Sequence, residues 1–297
     1  MKNYFHTPVM LEEVIKFLDV KVDGNYIDAT LGGGGYTKKI TSLLGDDGRA
    51  LSIDLDPLSL ENFSQFKTKK NIVVNDNFVN IKKIVLENFK KQIFFDGIVA
   101  DLGLSSAQLD DEERGFSFNN EKSLDMAFGP KIENDTFWIV NNYKQFELEN
   151  IIKEYGEEPW AKKIAGRIVE ERKKNKIDNS KKLAEIISSA IPKKFWSKRI
   201  NPATKTFQAL RMETNNELDV LGIFLEDASN LLKVGGCLVV VSFHSLEDRI
   251  VKRFFKSKKE SGNFELVNKK PLVATENETK NNSRARSAKL RVLKRIK

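Results

Sequence analysis

Short β-rich segments alternate with longer amphipathic segments along residues 24–103, and this alternation constrains the fold more than any other feature of the chain. Each β-rich segment has the length of a buried parallel strand, and helix-like periodicity lies between consecutive segments. Strand–helix–strand order predicts a doubly wound α/β sheet whose ligand lies beyond the carboxyl ends of the strands. The four segments are GNYIDAT, GRALSIDLD, NIVVND and FDGIVADLG.

The alternation stops after Asp101. Helical patterns without a convincing strand fill residues 109–212, as in EEPWAKKIAGRIVEERKK and KKLAEIISSAI. An amphipathic helix and the strand CLVVVSF follow, and two late β-like runs, FELVNKKPLVA and AKLRVLKR, could complete the sheet. The predicted organisation is therefore a discontinuous α/β domain, residues 1–108 and 213–297, interrupted by a helical insertion at 109–212.

Composition restricts the class of protein and its compartment. No apolar run approaches the roughly 20 residues that span a bilayer, so no membrane partner is expected. The single cysteine, Cys237, lies in the run GGCLVVVSF and is interpreted as a buried small hydrophobic residue. Two histidines and one cysteine are too few and too scattered for a zinc site, so no metal is predicted. We expect a cytoplasmic protein.

Positive charge is concentrated near the carboxyl terminus. The net charge of the chain is +8, and its last 17 residues hold seven Lys/Arg and no acidic residue. Such a segment either contacts a polyanion, such as nucleic acid, or is a solvated tail. Charge alone favours neither interpretation.

The segment DATLGGGG, residues 28–35, joins the first predicted strand to the first helical pattern. A Walker phosphate loop would close with Gly-Lys-Ser/Thr and a NAD site would read G-x-G-x-x-G, and neither spacing is present. Asp28 precedes the glycines, and Asp54 ends the second predicted strand. Bare backbone, a carboxylate for ribose hydroxyls and an acid suited to a cationic amino-acid group together favour S-adenosylmethionine as the ligand.

The third and fourth predicted strands also end near residues that could contact this ligand. Asp76 offers a polar contact, Phe78 offers a ring for adenine stacking, and Asp101 ends the fourth strand. Each acid alone is more often a turn residue or a helix cap. Because four consecutive strand ends carry such residues, the sequence predicts a methyltransferase.

Several longer motifs lie between His6 and Arg291. They include HTPVMLEEV, DLGLSSAQLDDEERGFSF, ATKTFQALRMETNNEL, SFHSLEDR and RARSAKLR, of which the last two are rarely met elsewhere. Together with DATLGGGG they resemble the bacterial small-subunit ribosomal RNA N4-cytosine methyltransferases. The resemblance implies a class I, Rossmann-like α/β methyltransferase fold with a helical insertion that recognises RNA. It also implies a cytosine substrate in the decoding region of 16S rRNA, methylated within the small subunit or a late precursor.

The resemblance further implies roles for individual residues. The family usually has histidine where this chain has Tyr36, and cofactor contact there is expected through the backbone. An arginine usual after YGEE is replaced by Pro159, and the basic segment usual after LDM is replaced by AFGP, both in the insertion. The cofactor-binding residues that the resemblance implies are Gly34, Gly35, Tyr36, Asp54, Phe78, Asp101 and Gln108.

Methyl transfer to cytosine needs help, because the lone pair of the exocyclic amine is delocalised into the ring and an acceptor on its N–H localises it. Asp101 is the only obvious carboxylate after the fourth strand, and we assign it first to the cofactor and second to orientation of N4.

Ser242 and His244 of SFHSLEDR are predicted to contact the RNA. The alternative for His244 is that it only organises the turn. Arg284, Arg286, Lys289 and Arg291 are predicted to bind phosphates.

Two other functions fit the same sequence: a methyltransferase that acts on free RNA, DNA or protein, and a ribosome-assembly factor that binds S-adenosylmethionine and RNA.

A buried methyl donor also requires the target base to leave its stack and enter an apolar slot. Phe116, Phe118 and Trp160 are candidates for that slot, with core packing as the alternative for each. The sequence leaves the oligomeric state open.

Overall fold

The structure, a computed structural model, describes residues 8–89, 93–105, 108–109, 111–130, 132–197 and 200–297. The chain forms two compact units. Met1–Gly103 and Leu218–Lys297 make up the first unit, and Leu104–Glu217 make up the second. The sequence placed these two boundaries at 108/109 and 212/213.

One mixed sheet organises the first unit. Its strands are β1 (Asn25–Asp28), β2 (Arg49–Asp54), β3 (Asn71–Asn75), β4 (Phe95–Asp101), β5 (Leu232–Ser242), β6 (Phe264–Leu266), β7 (Leu272–Val273) and β8 (Lys289–Arg295). Among the described residues these eight strands lie in the order β3-β2-β1-β4-β5-β8-β6, and β7 also pairs with β8. Strands β1 to β5 pair in parallel, whereas every pair made by β8 is antiparallel.

Apolar cores cover both faces of this sheet, because successive strand residues point to opposite sides. Ile98 and Leu238 belong to one buried cluster, and their neighbours Val99 and Val239 belong to another. Cys237 lies in the second cluster and is buried, which confirms its predicted role as a small hydrophobic residue. The predicted doubly wound α/β fold is confirmed.

Helices of the first unit pack on these faces. They are α1 (Leu11–Leu18), α2 (Gly35–Leu43), α3 (Pro57–Phe63), α4 (Ile81–Asn88), α10 (Glu217–Asn230, whose first residue belongs to the second unit), α11 (Ser245–Glu260) and α12 (Glu276–Asn281). Helix α3 shows how the sequence fixes a helix start beside a strand end: the Asp56 side chain accepts a hydrogen bond from the Leu58 N–H, and Pro57 occupies the first turn. In the part of the chain that the structure describes, no helix is long and apolar enough to cross a membrane.

The basic carboxyl-terminal segment is a strand of this sheet. Strand β8 lies between β5 and β6, and Leu290, Val292 and Leu293 are fully buried. The solvated-tail interpretation is therefore wrong, and the prediction that AKLRVLKR completes the sheet is confirmed.

All regular secondary structure in the described residues of the second unit is helical. Its helices are α5 (Thr136–Asn142), α6 (Gln145–Glu154), α7 (Ala161–Arg172), α8 (Ser180–Ala190) and α9 (Thr204–Asn215). They enclose their own core of aliphatic and aromatic side chains, among them Ile164, Ile168 and Leu183.

Candidate active site

Three aspartates end three adjacent strands of the first unit. Asp28 ends β1, Asp54 ends β2 and Asp101 ends β4. Because β2, β1 and β4 are neighbouring parallel strands, their carboxyl ends meet at one edge of the sheet. The structure therefore brings together the acids that the sequence predicted, at the edge where open α/β sheets bind ligands.

Asp28 is buried and belongs to a hydrogen-bonded network. One carboxylate oxygen accepts from the Thr37 hydroxyl at 2.7 Å and the other accepts from the Thr30 N–H at 3.2 Å. The Thr37 hydroxyl also lies 2.8 Å from that of Ser52 on β2. Burial raises the pKa of Asp28 to about 6 despite these hydrogen bonds. Asp28 therefore joins the glycine loop, helix α2 and two strands.

The raised pKa of Asp28 predicts a pH-dependent stability difference. Between about pH 4 and pH 6 the folded protein holds a proton on Asp28 that the unfolded chain releases, so this group lowers the free energy of unfolding as pH rises through that window. Asparagine at position 28 does not titrate, so Asp28→Asn does not undergo this decrease in the free energy of unfolding. We expect unfolding free energy of the variant, relative to wild type, to increase by up to about 3 kcal/mol from pH 4 to pH 7.

Urea titrations across that pH range measure this difference. Asp47→Asn, at an exposed position before β2, is the control for the substitution itself and is expected to change the unfolding free energy at neutral pH by less than about 0.5 kcal/mol. A variant-minus-wild-type difference for Asp28→Asn that stayed constant with pH would contradict the assignment.

Asp54 fastens the glycine loop to the end of β2. Its carboxylate accepts from the Gly32 N–H at 2.7 Å and from the Asp56 N–H at 2.9 Å. Burial raises the pKa of Asp54 to about 6. The Ser59 side chain also hydrogen-bonds to Asp54, so three of the roughly four acceptor positions of the carboxylate are used and one is left for a donor such as a ribose hydroxyl.

The glycines of DATLGGGG serve the packing of the loop as well as its surface. Gly34 has a φ of 73°, and a Cβ there would lie 2.3 Å from the Phe63 ring. A Cβ on Gly35 would lie 2.5 Å from the Pro8 ring. By contrast, among the described residues a Cβ on Gly32 would meet only the Thr30 carbonyl oxygen, at 3.8 Å. Gly34 and Gly35 thus allow close packing within the protein, whereas Gly32 has the least crowded backbone of the three in the described part of the chain.

Tyr36 and Asp101 contact each other. The buried Tyr36 hydroxyl donates to the Val9 carbonyl and lies 3.4 Å from Asp101 Oδ2. Burial, then the charge of Asp101, raises the pKa of Tyr36 well above its usual range, so the phenol stays protonated. The Asp101 N–H donates to the Thr30 hydroxyl at 2.7 Å, which fixes the end of β4 against the glycine loop.

Asp101 carries the feature most indicative of a binding site. Its Oδ1 is buried and has no hydrogen-bond partner among the residues that the structure describes. Burial, followed by the charge of Asp28, raises the pKa of Asp101 well above its usual range. A buried acceptor without a donor is costly unless a ligand supplies one, and a cationic donor would restore the charged form.

The residues predicted beyond β3 have local partners. The Asp76 carboxylate accepts from the Asn77 N–H at 2.7 Å and from the Asn80 side chain at 2.8 Å, so it organises a turn. Phe78 packs edge-on against Phe224, with ring centroids 4.9 Å apart. The adenine-stacking role of Phe78 stays a prediction.

The motif SFHSLEDR forms the end of β5 and the start of α11. Ser242 is buried, and its hydroxyl donates to the Lys289 carbonyl at 3.4 Å, so its contact with RNA stays a prediction. His244 caps helix α11 in a reciprocal capping box with Glu247, and the His244 side chain is 11% exposed. The turn-organising role of His244 is thus observed, and its contact with RNA stays a prediction.

An ion pair that the sequence did not reveal connects this helix to the last strand. Arg291 binds Asp248 through two hydrogen bonds, of 2.7 Å and 3.2 Å, and both residues are buried. Arg291 is therefore not free for phosphate. Arg286 is exposed and Arg284 partly exposed in the turn Ser283–Ser287, and their predicted phosphate contacts stay predictions.

The remaining predicted residues belong to the second unit. Gln108 is buried, where its side chain accepts from the Ser105 N–H and donates to the Phe128 carbonyl. Phe116 and Phe118 pack against Phe128 and Phe207, respectively. Phe116 belongs to the buried core of this unit and the partly buried Phe118 packs against it, which favours the packing alternative for both. Cofactor contact by Gln108 stays a prediction.

The fold and the residues of the candidate site together define the class of enzyme. A doubly wound sheet, a glycine loop after β1 and carboxylates at the ends of β1, β2 and β4 are the elements of a Rossmann-like methyltransferase. A solved structure of a candidate rRNA-methylase from Clostridium thermocellum shares the fold, with a TM-score of 0.50 and 12% identity over 98% of this chain and 100% of that chain.

The chain belongs to the MraW methylase family, which it matches over residues 3–296. Relatives named Ribosomal RNA small subunit methyltransferase H are 43% identical in Caldicellulosiruptor saccharolyticus, 40% in Clostridioides difficile and 44% in Acetivibrio thermocellus. Each comparison covers 99% of this chain and 100% of the relative. The chain is therefore a methyltransferase, and the prediction of S-adenosylmethionine as its cofactor is confirmed by the family.

Proposed function

We propose that this chain transfers a methyl group from S-adenosylmethionine to N4 of a cytosine in the decoding region of 16S rRNA (cytosine 1402 in the family), on the small ribosomal subunit. The observation that carries the proposal is the identity of 40–44% over nearly full length to relatives named as small-subunit rRNA methyltransferases. Such a substrate would place the reaction in the cytoplasm.

The strand-end residues fit the cofactor. Asp54 would accept the ribose hydroxyls, the backbone from Gly34 to Tyr36 would line the cofactor, and Asp101 would hold its cationic amino group. Support for Asp101 comes from its buried, unpartnered Oδ1, which requires a donor. Phe78 and Gln108 complete the proposed set. When bound, S-adenosylmethionine supplies an electrophilic methyl group.

The remaining task of the protein is to orient the cytosine amine. Because the N4 lone pair is delocalised, an acceptor that takes an N4–H hydrogen bond raises its nucleophilicity, and holding the amine in line contributes the larger part of the rate. Asp101 is the candidate acceptor in this second role. The proposed RNA contacts are Ser242, His244, Arg284 and Arg286.

One assay tests the proposal. The enzyme and S-adenosylmethionine with a tritiated methyl group are incubated in separate reactions with small ribosomal subunits, naked 16S rRNA, DNA or a protein substrate. The labelled nucleosides are then identified. N4-methylcytidine formed only with subunits supports the proposal. Label found instead in DNA or protein would contradict the proposal and identify that molecule as the substrate. Tight binding to subunits without any label would favour the assembly-factor function.

A further inference from the structure

Two aromatic rings of the insertion pack against each other at its surface. Trp160 precedes helix α7 and Phe195 ends the short turn Lys193–Phe195, and their ring centroids are 5.1 Å apart. Trp160 is partly buried against the core of this unit, whereas Phe195 is 56% exposed. The pair is thus fixed to the core at one end and open to solvent at the other.

Two lysines lie over these rings. Lys163 Nζ is 4.7 Å from the centroid of Trp160, and Lys194 Nζ is 5.1 Å from that of Phe195. Within the described ranges no carboxylate pairs with either ammonium group. The sequence between Glu185 and Glu213 holds six Lys/Arg and no acidic residue, and of these Arg211 is paired with Glu217. We call these four residues, Trp160, Lys163, Lys194 and Phe195, the aromatic–lysine surface.

A single exposed phenylalanine would need no explanation. Phe146 on helix α6 is such a case: it is 57% exposed, and in the described part of the chain no lysine lies over its ring. Phe195 differs because a second ring supports it and a cation lies beside each ring. Exposed Trp196 and Ile200 extend the apolar area along the same segment.

We propose that the aromatic–lysine surface binds an unpaired stretch of the RNA substrate, with a base stacked on Phe195 and the adjacent phosphates on Lys163 and Lys194. Stacking platforms flanked by positive charge are the means by which proteins hold single-stranded nucleic acid. A duplex offers no free base face to such a ring, so unpaired nucleotides fit better than a helix. This inference rests on the proposed function, in which the substrate is rRNA.

The test compares RNA binding by full-length variants. Fluorescence anisotropy is measured with a labelled single-stranded RNA of about ten nucleotides and with the same sequence as a duplex. We expect Phe195→Ala to weaken single-strand binding about 5- to 100-fold. Phe195→Trp should retain it, and Phe146→Ala, the matched control, should not change it. Lys194→Ala should reduce the slope of log affinity against log salt by about 0.7.

Further measurements separate this inference from the proposed function. With small subunits as substrate, Phe195→Ala should raise KM while the rate at saturation and the affinity for S-adenosylmethionine stay unchanged. Wild-type affinity of Phe195→Ala for single-stranded RNA, with methylation intact in both proteins, would overturn the inference alone. Self-association of the wild type that is lost in Phe195→Ala would also overturn it, because the surface would then bind a second copy. An absence of methylation by the wild type would refute the proposed function and leave the binding result interpretable.

Discussion

Asp101→Asn is expected to reduce kcat/KM for methyl transfer by about 30- to 5,000-fold while the protein stays folded. Loss of one partner from a buried charged hydrogen bond costs about 2 to 5 kcal/mol, which corresponds to this range. The fold is expected to tolerate the change, because burial already opposes ionisation of Asp101 and the amide is of the same size. The thermal midpoint of the variant should equal or exceed that of wild type.

Two measurements on Asp101→Asn separate its two proposed roles. Calorimetric titration gives the affinity for S-adenosylmethionine, and single-turnover labelling gives the rate of methyl transfer with cofactor at saturation. Weakened affinity with a normal saturated rate assigns Asp101 to the cofactor. Normal affinity with a slow saturated rate assigns it to N4. A variant that methylates at near-normal rates would remove Asp101 from both roles.

Two further variants serve as controls for Asp101→Asn, one at the far end of the same strand and one beside Asp101. Asp96→Asn alters the opposite end of the same strand, about 17 Å away, where Asp96 pairs with Lys233. It should keep methyl transfer within about twofold, at some expense in stability. Tyr36→Phe removes the hydroxyl that reaches Asp101 and the Val9 carbonyl, and should lower activity less than Asp101→Asn does.

The strand-end acids could be predicted because their position depends on local sequence alone. Alternating β-rich and helical segments define parallel strands, and the carboxyl ends of adjacent parallel strands necessarily share an edge. Asp28, Asp54 and Asp101 followed from that rule. The resemblance then supplied what the pattern could not, namely the kind of substrate.

Contacts between distant segments could not be predicted in this way. The sequence suggested that the glycines of DATLGGGG lie along a ligand, but Phe63 and Pro8 approach Gly34 and Gly35 and account for part of that requirement. Similarly, the number of basic residues near the carboxyl terminus gave no reason to separate Arg291 from the other cations predicted to bind phosphates. Which cations of a strand are buried depends on register and on partners far away in sequence, and Asp248 is 43 residues from Arg291.

Arg291→Met is accordingly expected to destabilise the protein by about 3 to 5 kcal/mol, because among the described residues it leaves the buried Asp248 carboxylate with only Lys289, 3.3 Å away. Burial opposes the charge of Asp248, but the hydrogen bonds and charge of Arg291, with Lys289, hold its pKa below the usual range. A lowered pKa stabilises the fold above the unfolded pKa, so this contribution is lost as pH falls through the folded value.

Urea unfolding at neutral pH measures the effect, with Arg286→Ala as the control in the same basic segment. Arg286 is exposed, so its removal should change the unfolding free energy by less than about 0.5 kcal/mol. The double variant Arg291→Met/Asp248→Leu should recover much of the lost stability, because it leaves no buried charge unpaired. If Arg291→Met were as stable as Arg286→Ala but bound small subunits more weakly, Arg291 would be an RNA contact after all and its pairing with Asp248 would be incidental.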